Sequence, residues 1–201
     1  MKKPLSLLSL ALGLFAMSFI TGVHDGYHVG DVARDFKLMN VDKSMKSMAD
    51  AKDAKGYIII FTCNHCPFAK AYEDRIIQLH EKYAPQGYPV IAINPNDKDK
   101  APDDSFEKMQ ERAESKKFPF WYLYDDKQEI AKAYGATRTP HVYLLDEKRV
   151  VRYIGAIDDN SEDADMVEEK YLENAIDALH EGKDVEVSFT KAIGCTIKWK
   201  S

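Results

Sequence analysis

Two cysteines, Cys63 and Cys66, are separated by two residues in TCNHCPF. An apolar run, YIIIFT, precedes them, and AKAYEDRIIQLHEKY, with apolar residues at helical spacing, follows. Two sulfurs so spaced bind a soft metal, close a small disulfide, or pack as small hydrophobes. A third cysteine, Cys195, lies six residues from the C-terminus in AIGCTIKWKS and is left over once the first two are paired.

The elements around the pair narrow the choice. YIIIFT is a continuous, β-branched run, the pattern of a central strand covered on both faces. From Pro67 to Tyr83 the residues Tyr72, Ile76, Leu79 and Tyr83 recur at helical spacing, and Pro67 suits a first helical turn, where its missing N–H costs nothing. Cys63 and Cys66 therefore sit at a strand-to-helix junction. Downstream, PVIAINPND reads as a strand, and APDDSFEKMQERAESKK as a helix with Asp104 and Glu107 spaced as a capping box. FPFWYLYD is a third strand, and KQEIAKAYG a short helix stopped by Gly135. TPHVYLLDEKRVVRYIG is a pair of strands turning at Asp146 to Arg149, and MVEEKYLENAIDALHEGK a last helix with Leu172, Ile176 and Leu179 on one face. Alternating strands and helices with a terminal hairpin predict an α/β fold: a three-layer α/β/α sandwich around a central mixed sheet.

The bulk properties bound the rest. The 201 residues, 45% of them hydrophobic, suit one ordinary domain. With 28 Lys plus Arg against 33 Asp plus Glu the net charge is −5, which argues against nucleic acid as a partner. MKKPLSLLSLALGLFAMSFITG, two lysines and then an apolar run from Leu5 to Ile20, has the pattern of a secretory signal over 1–22, cut after Ser18 or Gly22. An uncleaved membrane anchor is the alternative, and only then is a membrane a partner. The expected organisation is this segment, then one domain over 23–201 whose tail occupies 183–201. Either way the folded part is exported, periplasmic or otherwise extracytoplasmic, where a dithiol tends to be oxidised and needs a redox partner.

The order of motifs resembles the thioredoxin fold: a central strand ending in CxxC on a helix start, a later Thr139-Pro140 opening a strand, then a hairpin and a helix. The opening GDVARDFKL is similar to the start of the redoxin branch that holds alkyl hydroperoxide reductase and thiol-specific antioxidant proteins, with Arg34 where proline is usual. The likeness covers roughly 29–182. It implies that Cys63 is an exposed nucleophile, Cys66 the resolving thiol and Pro140 a cis-proline facing them, with no cofactor beyond a redox-active Cys63–Cys66 disulfide. A sulfur at a helix start has its thiolate favoured by the helix dipole and unpaired N–H groups. Asn64 and His65 between the cysteines, with Thr62 and Thr139 flanking, are expected to tune the site, since exported oxidants and isomerases of this fold commonly carry His before the second cysteine. His141 is a candidate to face it or to pack as an ordinary strand residue.

Departures from the resemblance matter too. Ile60, not Thr or Ser, stands three residues before Cys63, and Pro140 lies near where peroxiredoxins carry an activating arginine, with Arg138 beside it. The buried acid usual on the central strand of thioredoxins is replaced by Tyr57. Cys195 either resolves or relays from a tail folded over the site, or is a half-buried thiol in a tail pinned by Ile193, Ile197 and Trp199.

Three functions are consistent with these residues. One is a thiol-disulfide oxidoreductase acting on protein thiols or disulfides or with a thioredoxin-like electron donor. The second is a peroxiredoxin-like peroxidase for hydroperoxides. The third is a copper-binding or delivery module using Cys63, Cys66 and a His, although no second CxxC completes a closed zinc site.

Overall fold

The computed structural model describes residues 26–201, so the signal-like segment 1–22 lies outside the described residues. In chain order the elements are β1 (Leu38–Asn40), β2 (Met45–Lys46), β3 (Gly56–Phe61), α1 (Pro67–Tyr83), β4 (Val90–Asn94), α2 (Phe106–Lys116) and β5 (Trp121–Tyr124). They continue with α3 (Glu129–Tyr134), β6 (Arg138–Thr139), β7 (His141–Asp146), β8 (Val151–Gly155), α4 (Tyr171–His180) and β9 (Cys195–Thr196).

Seven strands form one sheet in the order β2-β1-β5-β4-β3-β7-β8. β3, β4 and β5 run parallel, while β7 and β8 close one side and β1 and β2 the other in antiparallel register. The sheet is mixed, as its hairpin predicts. β3 is central and every residue in it is buried. Ile58 and Ile60 point into one core with Tyr72, Ile76 and Tyr83 of α1, Met109 of α2, and Leu172 and Ile176 of α4. Tyr57, Ile59 and Phe61 point into the other, with Ile130 and Tyr134 of α3, Ala33, Phe36 and Met48 of the opening segment, and Ile197 of the tail. A strand with both faces covered has no polar side to alternate with, which is why its sequence is unbroken. The layers are α/β/α.

Two local expectations need correction. The last helix starts at Tyr171 rather than Met166, because the Glu168 N–H and the Glu169 carbonyl are already committed to Asp159. The cap of α2 is Ser105, whose hydroxyl accepts from the Lys108 N–H, and Asp104 faces inward instead.

Beyond α4 the tail runs beside β8, where the Ile154 N–H donates to the Ser188 carbonyl and the Ile154 carbonyl accepts from the Thr190 N–H. It then crosses to the C-terminal end of the parallel strands, where β9 pairs antiparallel with β6.

Candidate active site

β3 delivers the cysteines. After Phe61 the Thr62 N–H still donates to the Ile93 carbonyl, and the chain then leaves the sheet. Cys66 is the N-cap of α1, in extended conformation, with Pro67 opening the first turn. Cys63 and Cys66 are free thiols, 3% and 0% exposed. The expected exposed nucleophile is therefore a covered one.

The Thr139–Pro140 bond is cis, and Thr139 is fully buried against both sulfurs. Its Oγ1 lies 3.1 Å from Cys63 Sγ, and its carbonyl oxygen 3.3 Å from Cys66 Sγ.

Beneath the loop between the cysteines lies Asp104, fully buried and expected from the sequence only as a helix cap. Its Oδ1 accepts from the Asn64 N–H at 2.6 Å and from Asn94 Nδ2 at 3.3 Å. Its Oδ2 meets His65 Nδ1 at 2.5 Å and accepts from Asn96 Nδ2 at 2.8 Å. Asn64 adds a bond from its Nδ2 to the Asp103 carbonyl and receives the Tyr122 hydroxyl. Asn64 and His65 thus fix the loop to a buried carboxylate. Thioredoxins keep such an acid on the central strand; here it stands in the turn Pro102–Asp104, just ahead of the α2 cap Ser105. The only sequence signal was the run INPND, where asparagines close an otherwise apolar strand.

The tail supplies the third sulfur. β9 lies against β6 with Cys195 opposite Thr139, and Cys195 packs on the cluster of Cys63, Cys66 and Ala69. The segment is tied down by the Ile197 N–H to the Thr137 carbonyl, Lys198 backbone bonds with Asn96, Asp97 and Gln128, and Arg138 Nη1 on the Gly194 carbonyl. Ile197 and Trp199 pack into the core, but Ile193 is 47% exposed and pins nothing. The tail folds over the site.

Electrostatics follow from these contacts. The Cys66 thiol is drawn down to about 4, first because the Cys63 S–H donates to it, then through the Cys195 S–H and the N–H groups of Ala69 and Cys195. The same contact pushes Cys63 up, helped by burial and the Asp104 charge. One negative charge is therefore shared between two sulfurs at the helix start, whose dipole and unpaired N–H groups favour it. Burial, then the contact with Cys66, raises Cys195 to about 11.

Not every candidate joins the site. His141 is buried, accepts weakly from the Thr137 N–H and packs on Tyr143, lining a side groove with Tyr27, Arg138 and Phe189 instead of the thiols. Burial lowers it to about 4. Arg138 serves the tail. For a metal, donor atoms of Cys63, His65 and Asp104 lie within 4.8 Å of one another. The four hydrogen-bonding contacts on Asp104 already occupy its lone pairs, so an ion there would have to displace them.

A dithiol on a helix start, facing a cis-proline on an α/β/α sandwich, defines a thioredoxin-like redoxin. The chain belongs to the AhpC/TSA family, whose pattern matches residues 29–154. No curated protein matches it. Among solved structures it is similar to an uncharacterized conserved protein from Geobacillus kaustophilus, 40% identical with a TM-score of 0.81, over 86% of this chain and 93% of that one. It is also similar to a hypothetical protein from Sinorhizobium meliloti, 34% identical with a TM-score of 0.82, over 88% and 97%. Peroxidoxin BcpB from Mycobacterium tuberculosis shares the fold at 16% identity and a TM-score of 0.58, over 76% and 96%.

Proposed function

We propose that the protein is an exported thiol-disulfide oxidoreductase in which Cys63 attacks and Cys66 resolves. The observation that carries this reading is the way Thr139 and the helix start satisfy the shared charge in two arrangements. With the charge on Cys66, the Cys63 and Cys195 thiols and two N–H groups donate to it. With the charge on Cys63, the Thr139 hydroxyl and the Cys66 N–H donate to that sulfur, while the Cys66 S–H has the Thr139 carbonyl as acceptor. A proton passing from Cys63 to Cys66 therefore leaves no sulfur unpaired, and Cys63 gains its nucleophilic form.

In the exchange, Cys63 thiolate attacks one sulfur of a partner disulfide, forming a mixed disulfide and expelling the partner's other sulfur as thiolate. The Cys66 proton passes to that thiolate through solvent. Cys66 then attacks Cys63 Sγ, the Cys63–Cys66 disulfide forms as the bond from Cys63 to the partner breaks, and the partner's second sulfur leaves as a thiolate that solvent protonates. Run backwards, the same steps oxidise a protein dithiol. The held thiolate stabilises the reduced form, which makes the disulfide form an oxidant and favours this direction.

The family supports a second reading as a thiol peroxidase. There Cys63 thiolate takes one oxygen from a hydroperoxide, leaving sulfenic acid and an alcohol or water once the departing oxygen is protonated. Cys66 attacks that sulfur and releases water. Ile60 in place of Thr or Ser, and Arg138 engaged on the Gly194 carbonyl, weigh against it.

Export rests on the 1–22 pattern, and the partner is a protein thiol pair or a thioredoxin-like donor. The test runs the protein and Cys63→Ser side by side against a protein dithiol, a protein disulfide and hydrogen peroxide. Cys63-dependent exchange is expected. Exchange that survives Cys63→Ser sinks the reading, and fast Cys63-dependent peroxide consumption transfers the assignment to peroxidase.

A further inference from the structure

Cys63 and Cys66 are closed off, yet a disulfide between them must be reached by whatever resets it. Cys66, fully buried, clusters with Cys63, and Cys195 packs against the two from the strand opposite Thr139, the residue whose carbonyl faces Cys66. Cys195 is the half-buried member of the three and the one with a solvent face.

Its position is built. Cys195 stands opposite Thr139 in the β6–β9 pair, and the Thr139 carbonyl that faces Cys66 also presses on the tail. At Gly194 a Cβ would fall 2.3 Å from that carbonyl oxygen and 3.0 Å from Pro140 N, so only glycine permits the approach. The Arg138 guanidinium donating to the Gly194 carbonyl on one side of Cys195, and the Ile197 N–H donating to the Thr137 carbonyl on the other, hold the strand in place.

We propose that Cys195 is the outlet of the site, a third redox thiol that takes the disulfide from the buried pair to the surface. This rests on the proposed function, since it requires a Cys63–Cys66 disulfide to start from. Cys195 thiolate attacks Cys66 Sγ; the Cys66–Cys195 bond forms, the Cys63–Cys66 bond breaks, and Cys63 leaves as thiolate. No outside electrons are needed, because one disulfide is exchanged for another. An external protein dithiol then attacks Cys195 Sγ from solvent, releasing Cys66 as thiolate, and its second thiol closes on the first to free Cys195. Two electrons enter at the tail. The charge of reduced Cys66 is a cause of the raised Cys195 value, and disulfide formation removes that charge while Lys198 and Arg138 remain beside Cys195. Oxidation of the pair therefore readies the third thiol.

The sequence provides a direct readout. Cys63 and Cys66 fall on one tryptic peptide, 56–70, and Cys195 on another, 192–198. The full chain is oxidised with stoichiometric diamide, quenched in acid, alkylated with N-ethylmaleimide and digested. The expected product is 56–70 linked to 192–198 with the maleimide on Cys63. A maleimide on Cys66 in that linked pair, or only an internal 56–70 disulfide with Cys195 alkylated, overturns the relay and leaves the redox pair standing. No disulfide involving 56–70 overturns the pair itself. Oxidised Cys195→Ser, which keeps the pair, should be reduced by a thioredoxin-type dithiol protein about tenfold more slowly than the parent. An equal rate also overturns the relay.

Discussion

The Thr139 hydroxyl lies 3.1 Å from the Cys63 sulfur, within a peptide unit whose carbonyl faces Cys66. One buried residue thus offers a donor to the first thiol and an acceptor to the second. Thr139→Val keeps the shape and removes only the donor. Losing a hydrogen bond worth about 1 kcal/mol in the Cys63-charged arrangement slows exchange roughly fivefold. The Cys66 titration should not move, because the hydroxyl does not touch that sulfur. A rate equal to the parent's would remove Thr139 from the mechanism.

The reduced protein should carry one thiolate near neutral pH, visible by ultraviolet absorbance and lost as pH falls through about 4. Cys66→Ser should abolish that step. The sign for stability follows: a thiol held below its ordinary value of 9.0 stabilises the reduced fold increasingly as pH rises from about 4 toward 9.0 and loses this on acidification. Denaturant midpoints of reduced and disulfide forms should therefore converge as pH drops. Midpoints that stay parallel would contradict a thiolate at this site.

Asp104→Asn leaves the side chain's size unchanged but turns one of its two acceptor oxygens into an N–H donor. The Asn64 N–H, Asn94, Asn96 and His65 all converge on the carboxylate, so some of them must then go unpaired in a buried place. The expected cost is about 2–4 kcal/mol by denaturant unfolding, with slower exchange as the loop between the cysteines loosens. Wild-type stability in this variant would show that the network is ornamental.

How far the sequence alone reaches can be judged from particular residues. β3, α1 and the junction between them were legible, because an apolar run without polar gaps and a helical repeat behind Pro67 each have one simple solution. Asp104 was not: an acid beside Ser105 at a helix start looks the same whether it caps the helix or faces a site. Cys195 was undecided for a different reason. It lies more than a hundred residues from Cys66, and only the β6–β9 register brings the two together. The α4 start was missed because Glu168 and Glu169 satisfy Asp159 before the helix can use them.

His141 gives the fold a pH dependence apart from the thiols. Burial lowers it from an ordinary 6.5 to about 4, so between these values the unfolded chain binds a proton that the folded one refuses. Its contribution is full above 6.5 and is lost as pH falls toward 4, with a slope of up to about 1.4 kcal/mol per pH unit. His141→Asn, which retains an acceptor for the Thr137 N–H, should flatten that part of the stability profile. To keep the thiols from contributing, the measurement is made in the Cys63→Ser, Cys66→Ser, Cys195→Ser background. An unchanged slope there would assign the dependence elsewhere.

Gly194→Ala tests the tail as a cover without altering any thiol. Its Cβ would come 2.3 Å from the Thr139 oxygen and 2.7 Å from the Thr139 carbonyl carbon, both backbone atoms of a fully buried residue that cannot yield. β9 must therefore lift from β6, at a cost of about 1–3 kcal/mol. Lifting exposes Cys66 and removes the Cys195 contacts that lower it, so its titration should rise above about 4 while its alkylation by a bulky maleimide quickens. The two readouts separate cause from accident. Faster alkylation with an unmoved titration would mean that the tail merely shields the pair, whereas both moving together ties the Cys66 charge to the strand that carries Cys195.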